Sequence, residues 1–220
     1  MTVRQLLFTL CLLAASLPLS AQFGVSGHYR GGNPYASRDG NAGADFYPLR
    51  GPEISLDVWF RLKQTRIEFL PTISYGQNKS DGQPEVDIPG ITGRQFSLFF
   101  NTNFYLFDIK GDCGCPTFKK EGPALQKGFF LQVGPGYVNH AINLEGGRRS
   151  EQSFAAHNFS LNLGLGLDIG ISELITLSPY AGVRYFPSFR DGGYVNVQDG
   201  DRSSFTQPRA GLRVGFRFDE

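Results

Sequence analysis

Residues 159–171, FSLNLGLGLDIGI, alternate without a break between large apolar residues and small or polar ones. Phe, Leu or Ile occupies every odd position, and Ser, Asn, Gly or Asp occupies every even position. A period of two is typical of a β-strand with two chemically different faces. Soluble strands usually have about five or six residues, whereas a strand that crosses a bilayer needs about nine to eleven. By itself the pattern fits a membrane barrel, a lipocalin-like soluble barrel or one sheet of a soluble sandwich.

The first residues of the chain have the organisation of an export signal. Arg4 precedes an apolar run over residues 6–17, and Ser20 and Ala21 supply the small residues of a cleavage site. This predicts a Sec signal peptide over residues 1–21, which leaves 22–220 as one domain. The apolar run is too short for a retained transmembrane helix.

The charge balance excludes one class of partner. The chain has 21 Lys and Arg against 20 Asp and Glu, and Arg4 is the only charged residue of the predicted signal. The remaining domain is therefore formally neutral, without the basic excess of a nucleic-acid-binding protein. The mean hydropathy of the whole chain, −0.21, is compatible with a membrane barrel, because alternating strands average out in such an index.

Connection length distinguishes the three folds. Eight segments have strand character, and the first, third, fifth and seventh connections between them are polar, whereas two of the other three are minimal turns. Outer-membrane barrels place short turns on the periplasmic side and long loops outside, and a sandwich or lipocalin has no reason to do so. The sequence predicts an all-β, antiparallel, eight-stranded, up-and-down transmembrane β-barrel in the bacterial outer membrane, with its long loops extracellular. The predicted strands are residues 22–30, 53–62, 65–76, 94–108, 127–141, 155–171, 174–186 and 205–218.

The two faces of these strands receive different environments. We expect the apolar face to contact lipid, as at Leu161, Leu163, Leu165 and Leu167. We expect the other face to fill a narrow lumen with polar and charged side chains, because eight strands leave room for little else. A lumen charge network is predicted, because buried arginines need carboxylate partners. Its expected members are Arg209, Arg213, Arg217, Asp57, Glu68 and Asp168. Prolines within the predicted strands, at positions 71, 135, 179 and 208, indicate either bulges or misplaced strand ends.

Several stretches carry a family resemblance: RIEFLPTISYG, GFFLQVGPGYVNH, LGLGLDIGISELITLSPYAGVRY and the terminal AGLRVGFRF. Together they resemble the porin-like outer-membrane β-barrel domain family of Gram-negative bacteria. The resemblance covers nearly the whole domain and implies an eight-stranded barrel without implying one activity. Phe216 and Phe218 resemble the C-terminal signal that the barrel assembly machinery reads, although Asp219 and Glu220 follow them here.

Cys113 and Cys115 lie in the one long connection expected on the periplasmic side. An exported chain permits a disulfide between them, although the ring would be small and strained. A free or intermolecular pair is the alternative. A zinc site is the least favoured, because two thiolates without a nearby His fall short of four ligands. No cofactor or metal is predicted.

Catalysis is not expected. His157 and Ser160 could suggest a lipid esterase, but residues three apart in a strand face opposite ways. Arg148 and Arg149 could touch lipopolysaccharide phosphates, although a solvated charge pair explains them as well. The predicted function is a structural or porin-like barrel, whose partners are outer-membrane lipid, lipopolysaccharide and the assembly machinery. The alternative is a cell-surface binding or adhesion module acting through the four outer loops on an unidentified partner, and a lipid-modifying enzyme is third.

Overall fold

The chain forms a closed antiparallel β-barrel. The computed structural model describes residues 22–31, 50–62, 65–80, 90–107, 127–145, 153–188 and 204–216. The strands are β1 (Gln22–Arg30), β2 (Gly51–Arg61), β3 (Ile67–Ser80), β4 (Gly90–Phe104), β5 (Phe129–Glu145), β6 (Ser153–Leu167), β7 (Ile169–Gly170), β8 (Ile175–Phe186) and β9 (Phe205–Phe216). No helix among these residues is long and apolar enough to cross a bilayer.

Each strand from β1 to β6 pairs with its sequence neighbours among them, β6 and β7 both pair with β8, β8 pairs with β9, and β9 pairs with β1, which closes the barrel. The two-residue strand β7 continues β6, because Gly166 pairs with Tyr180 and Ile169 pairs with Leu177 of the same strand β8 in one register. With β6 and β7 counted as one, the barrel has eight strands, as the sequence predicts. Strand ends differ from the prediction by a few residues, most at β3, β4 and β5, which extend as far as Ser80, Gly90 and Glu145.

The connections differ between the two ends of the barrel. The short turns 62–66 and 171–174 lie at one end, together with the start of β1 and the end of β9. We call this the short-turn end. The opposite, long-connection end carries connections 31–50, 81–89, 146–152 and 187–204, and the segment 105–128 is a long connection at the short-turn end. This is the predicted alternation.

The burial of successive side chains follows the two-residue period. In β2 the positions from Gly51 to Trp59 alternate strictly between buried and exposed. The exposed ones are apolar, such as Ile54 at 59% and Leu56 at 55%, while the buried ones include Ser55 and Asp57. A soluble protein would reverse this arrangement, since it buries apolar and exposes charged residues. The barrel therefore has an apolar outer surface and a largely polar interior.

The lumen also contains large apolar side chains, which the sequence analysis did not place there. Phe99, Val138, Phe186 and Phe205 form one buried cluster. Tyr105, Phe130 and Tyr180 form another. Phe99 and Phe130 both lie on the inward face of their strands. Because the residues on either side of them, on the outward face, are also apolar, each forms part of a continuous apolar run in which the two faces cannot be distinguished. The interior is thus filled by aromatic as well as charged groups.

All four prolines lie inside strands with exposed side chains, and none is accompanied by a bulge in the described residues. At Pro71 the β2–β3 pairing is interrupted, but the register is unchanged on either side, with Asp57 paired to Thr72 and Phe60 to Phe69. Pro135 interrupts the β4–β5 pairing in the same way. Because proline lacks an N–H, each one removes a hydrogen bond to one neighbouring strand, and the strand continues in the same register on either side.

Candidate functional site

The lumen contains two groups of charged side chains at different depths. The first, the turn-side cluster, consists of Asp57, Glu68, Asp168, Arg66, Arg213, Tyr105 and Ser178. The second, the loop-side cluster, consists of Arg30, Glu53, Arg184 and Arg209. The members come from strands far apart in sequence, and closure of the barrel brings them together.

In the turn-side cluster, Arg213 of β9 binds Asp57 of β2. The Nε atom donates to Oδ1 at 3.0 Å and to Oδ2 at 3.1 Å, and Nη2 donates to Oδ1 at 2.6 Å. The side chains are 12% and 3% exposed, so the pair is largely removed from solvent. Charge-assisted contacts of this multiple kind are the stronger class of hydrogen bond.

Tyr105 links two further carboxyl groups of this cluster. Its hydroxyl lies 2.7 Å from Glu68 Oε2 and 2.5 Å from Asp168 Oδ2. Because the hydroxyl has one hydrogen, it can donate to only one of them at a time. Ser178 donates to the other oxygen of Asp168 at 2.5 Å, and the Arg66 guanidinium lies 4.1 Å from the centre of the Tyr105 ring. This part of the lumen is therefore cross-linked between β3, the end of β4, β8 and the junction of β6 with β7.

Glu53 is the centre of the loop-side cluster. Arg184 donates to both of its carboxylate oxygens at 3.1 Å, in a bidentate pair. Arg30 Nε lies 3.5 Å from Glu53 Oε2, and Arg209 Nη1 lies 3.7 Å from Oε1. The Glu53, Arg30 and Arg184 side chains have no exposed surface. Three arginines thus share one carboxylate.

Neutral groups complete the contacts of these arginines. Arg30 donates to the side-chain oxygens of Gln95 and, at 2.7 Å, Asn78. Arg184 Nε donates to Asn162 at 3.3 Å, and its guanidinium lies 4.6 Å from the centre of the Phe99 ring. Beyond these residues, Phe186 stacks on Phe205 with ring centres 5.6 Å apart.

A cavity of about 30 Å³ lies between the two clusters. A cavity needs about 10–15 Å³ of such volume to hold one water molecule, so this one has room for about two. Its wall includes members of both clusters, among them Asp57 and Arg213 on one side and Arg209 on the other. The remaining lining residues are Ser26, His28, Leu70, Thr72, Asn101, Asn103, Phe130, Gln132, Ser178 and Tyr180.

Glycines on the inner faces make room for the large lumen side chains. A Cβ atom at Gly136 would collide with the Phe99 ring, and one at Gly164 with the Tyr180 hydroxyl. A Cβ at Gly24 would lie 2.6 Å from Arg213 Nε and 2.7 Å from Asp57 Oδ1. The small residues that alternate with leucine in β6 therefore mark positions where the lumen is already full.

The predicted charge network is divided between these clusters. Asp57, Glu68, Asp168 and Arg213 lie in the turn-side cluster, whereas Arg209 lies against Glu53 and, at 3.3 Å, His28 Nε2. Arg217 lies outside the described residues. Sequence reasoning missed Arg30, Glu53, Arg184, Arg66 and Tyr105. Glu53 could have been found from the two-residue period of the strand, because it lies on the same face of β2 as Ser55 and Asp57.

The other predicted residues are placed as follows. Leu163 and Leu165 are exposed on the outside of β6, while Leu161 and Leu167 are half-buried. Phe216 ends β9 with its ring 5.1 Å from that of Phe23. Phe218, Cys113, Cys115, Arg148, Arg149 and the predicted signal peptide, residues 1–21, lie outside the described residues.

The described residues give little support to a catalytic or metal site. His157 is exposed on the outer face and stacks on Tyr137, whereas Ser160 is buried in the lumen. The two cannot act as one hydrogen-bonded pair from opposite faces. Within the described part of the chain, no three His, Cys, Asp or Glu side chains are grouped as metal ligands would be.

Comparison with known proteins gives one family match, to the autotransporter beta-domain over residues 118–220. No curated protein matches the chain significantly. The structure of a major outer membrane protein from Thermus thermophilus is similar with a TM-score of 0.52, at 12% identity, over 89% of this chain and 99% of that one. At this identity the similarity concerns the fold alone.

Two further structures are similar with TM-scores below 0.5. Neisserial surface protein A has a TM-score of 0.46 and 11% identity, over 90% of this chain and 97% of that one. The Yersinia pestis attachment invasion locus protein Ail, in complex with a heparin analogue, has a TM-score of 0.45 and 15% identity, over 90% of this chain and 99% of that one. The closed eight-stranded barrel and its inverted distribution of polar and apolar residues agree with the family match. The chain therefore has the closed eight-stranded antiparallel fold of the small outer-membrane β-barrels, and its residues 118–220 match the autotransporter beta-domain.

Proposed function

We propose that this protein is a non-catalytic outer-membrane barrel whose lumen is closed to solutes. The observation that carries the proposal is the filling of the lumen at two successive depths. At one depth Arg213 binds Asp57, and at the other Arg184 and Arg30 surround Glu53. An eight-stranded barrel has an interior just wide enough for side chains to fill. The cavity between the clusters has room for about two water molecules, and it lies between two filled levels of the lumen.

Each cluster resists opening for an electrostatic reason. Separation of a buried ion pair leaves two desolvated charges without partners, which is strongly unfavourable. The clusters also cross-link strands on opposite sides of the closure, since Arg184 and Glu53 are 131 residues apart in sequence. The closed lumen and the stability of the barrel therefore depend on the same side chains.

Uptake by proteoliposomes tests the proposal. Vesicles that contain the purified full-length protein should exclude a small sugar such as arabinose as well as empty vesicles do. A general porin in the same vesicles is the positive control. Uptake by wild-type vesicles at a rate near that of the porin would contradict a closed lumen.

A second candidate function, surface binding, is favoured by the shape of the long-connection end. Strand β8 ends at Phe186, while Leu161 of β6 pairs with the adjacent Tyr185. Residues 153–159 of β6 therefore extend beyond the end of β8, paired with β5. Strands β3 to β6 form a sheet that projects past the rest of the barrel, and four connections start from this end.

Adhesion of displaying cells tests the second function. Cells that display the barrel would be compared with cells whose barrel has connection 146–152 replaced by a short Gly-Ser turn, on surfaces coated with fibronectin, collagen or heparin. Binding function predicts adhesion that falls with the replacement at equal surface display. Equal adhesion by both, at the level of cells without the barrel, would remove this candidate for those three ligands.

A further inference from the structure

The loop-side cluster has more positive than negative charge. Arg30, Arg184 and Arg209 are guanidinium groups, which stay protonated in proteins, and Glu53 is the one carboxylate that contacts them within the described residues. The cluster thus has a surplus of two positive charges. Charge removed from water is costly unless it is paired. Something other than Glu53 is needed to offset it.

Arg209 is the least satisfied member of the cluster. Arg30 and Arg184 both donate to side-chain amides, of Asn78 and Asn162. The contacts of Arg209 are longer than theirs. Its guanidinium lies 3.3 Å from His28 Nε2, 3.7 Å from Glu53 and 5.2 Å from the centre of the Tyr180 ring. Its Nε has no hydrogen-bond partner although the residue is buried.

The cavity lies next to this unsatisfied group. Arg209, Tyr180 and His28 all line it. The Tyr180 hydroxyl also has no hydrogen-bond partner, and neither has His28 Nδ1. A buried polar group without a partner is exceptional in proteins and calls for a bound water or ion. Three such groups surround a space of about 30 Å³.

The charges around the cavity restrict what can occupy it. Arg209 attracts an anion, and the Tyr180 hydroxyl can donate a hydrogen bond to one. Asp57 also lines the cavity, which disfavours a multiply charged anion, although Asp57 itself is neutralised by three hydrogen bonds from Arg213. The small volume favours a compact anion over phosphate, sulfate or an organic anion. A halide ion is singly charged and similar in size to water.

We propose that this lumen cavity is a binding site for a single chloride ion. Arg209 supplies the charge that holds it, and the Tyr180 hydroxyl donates a hydrogen bond to it. The ion offsets half of the surplus charge of the loop-side cluster. Chloride is thus a structural ligand of the folded barrel, and it stabilises the folded state because the unfolded chain has no such site.

The test is the unfolding of the full-length protein in lipid vesicles at constant ionic strength, with chloride replaced stepwise by gluconate. Gluconate is a large organic anion, which the small cavity disfavours. The urea midpoint should rise with chloride concentration and then saturate, and bromide should substitute. Arg209→Gln should abolish this dependence, and Tyr180→Phe should weaken the apparent affinity about tenfold. Arg94→Gln, at an exposed outer position, is the control and should keep the wild-type dependence.

Glu53→Gln should change the chloride affinity in the direction opposite to Arg209→Gln and Tyr180→Phe. It removes the carboxylate that competes for the arginines, so chloride should bind more tightly than to the wild type. If Arg209→Gln does not fold, Tyr180→Phe and anomalous scattering from bromide-soaked crystals of the wild type decide the question. A midpoint that is the same in chloride and gluconate, or a dependence that survives Arg209→Gln, would overturn the proposal and leave water in the cavity.

Discussion

Arg213 reaches Asp57 across an intervening strand, through the space that a side chain of Gly24 would fill. The guanidinium starts on β9 and the carboxylate on β2, and β1 lies between them. Their closest atoms are 2.6 Å apart. Gly24 pairs directly with Asp57 and with Gly215, so its missing side chain lets the ion pair pass over the β1 backbone. A glycine and an ion pair thus form one packing unit.

Substitution of Gly24 by alanine should weaken this unit. The new Cβ would lie 2.6 Å from Arg213 Nε, so the ion pair must shift or break. We expect a loss of about 1–3 kcal/mol in the free energy of unfolding, as for overpacking elsewhere. Trp59, the only tryptophan of the chain and 3% exposed, reports unfolding by its fluorescence in urea.

Gly27 provides the matched control on the same strand. A Cβ at Gly27 would have no atom within 4 Å. Gly27→Ala should therefore leave the unfolding free energy within about 0.5 kcal/mol of the wild type. Equal losses at the two positions would mean that β-strand propensity, and not the ion pair, determines the effect.

Removal of one partner of the pair should cost more than removal of both. Arg213→Ala leaves Asp57 buried without its partner, and the expected loss is about 3–5 kcal/mol. Asp57→Ala in addition should restore part of it, because no unpaired carboxylate remains. A double-mutant cycle from urea unfolding measures the coupling. Additive losses would show that the two side chains do not stabilise each other.

The outer surface should behave as a lipid-facing one. Leu165, in the middle of β6, is 51% exposed, and Ile171, in the turn after β7, is 62% exposed. Arginine at a lipid-facing position costs about 2–4 kcal/mol at the midplane and about 0–1 kcal/mol near the interface. Leu165→Arg should therefore destabilise the vesicle-embedded barrel, and Ile171→Arg should change little. Similar small effects at both positions would place Leu165 outside the hydrocarbon region.

Orientation can be tested with single cysteines at exposed positions of the two ends. Glu173 lies in a short turn and Ser204 precedes β9 at the long-connection end. In a background with Cys113 and Cys115 changed to serine, Ser204→Cys should react with an impermeant maleimide on intact cells. Glu173→Cys should react only after the outer membrane is opened. The reverse pattern would invert the predicted orientation, in which long loops are extracellular.

The sequence was sufficient to predict the strands, the barrel and the polarity of its two faces. Each of these depends on a local period of two and on connection length, which can be read directly from residues such as those of β6. Phe99 could not be assigned to the lumen in this way, because it stands between Leu98 and Phe100 and breaks the alternation. A glycine opposite it, Gly136, accommodates its ring in the lumen.

The pairing of charges could not be predicted in the same way. Which arginine meets which carboxylate depends on strand register, tilt and closure, and none of these is local. Arg184 and Glu53 are separated by 131 residues, and Arg209 lies with Glu53 instead of Asp57 although Arg213 is only four residues further along β9. The division into two clusters is therefore a property of the closed barrel.

Single-channel recording in planar bilayers tests the closed lumen most directly. Because the two clusters act in series, the wild type should show no steady conductance, and Arg213→Ala alone should show at most brief openings. The double variant Arg184→Ala, Arg213→Ala removes one large side chain from each cluster. It should give stable channels, provided that heat-modifiable gel migration shows a folded barrel. A large, stable conductance of the wild-type protein would contradict the account and establish an open pore.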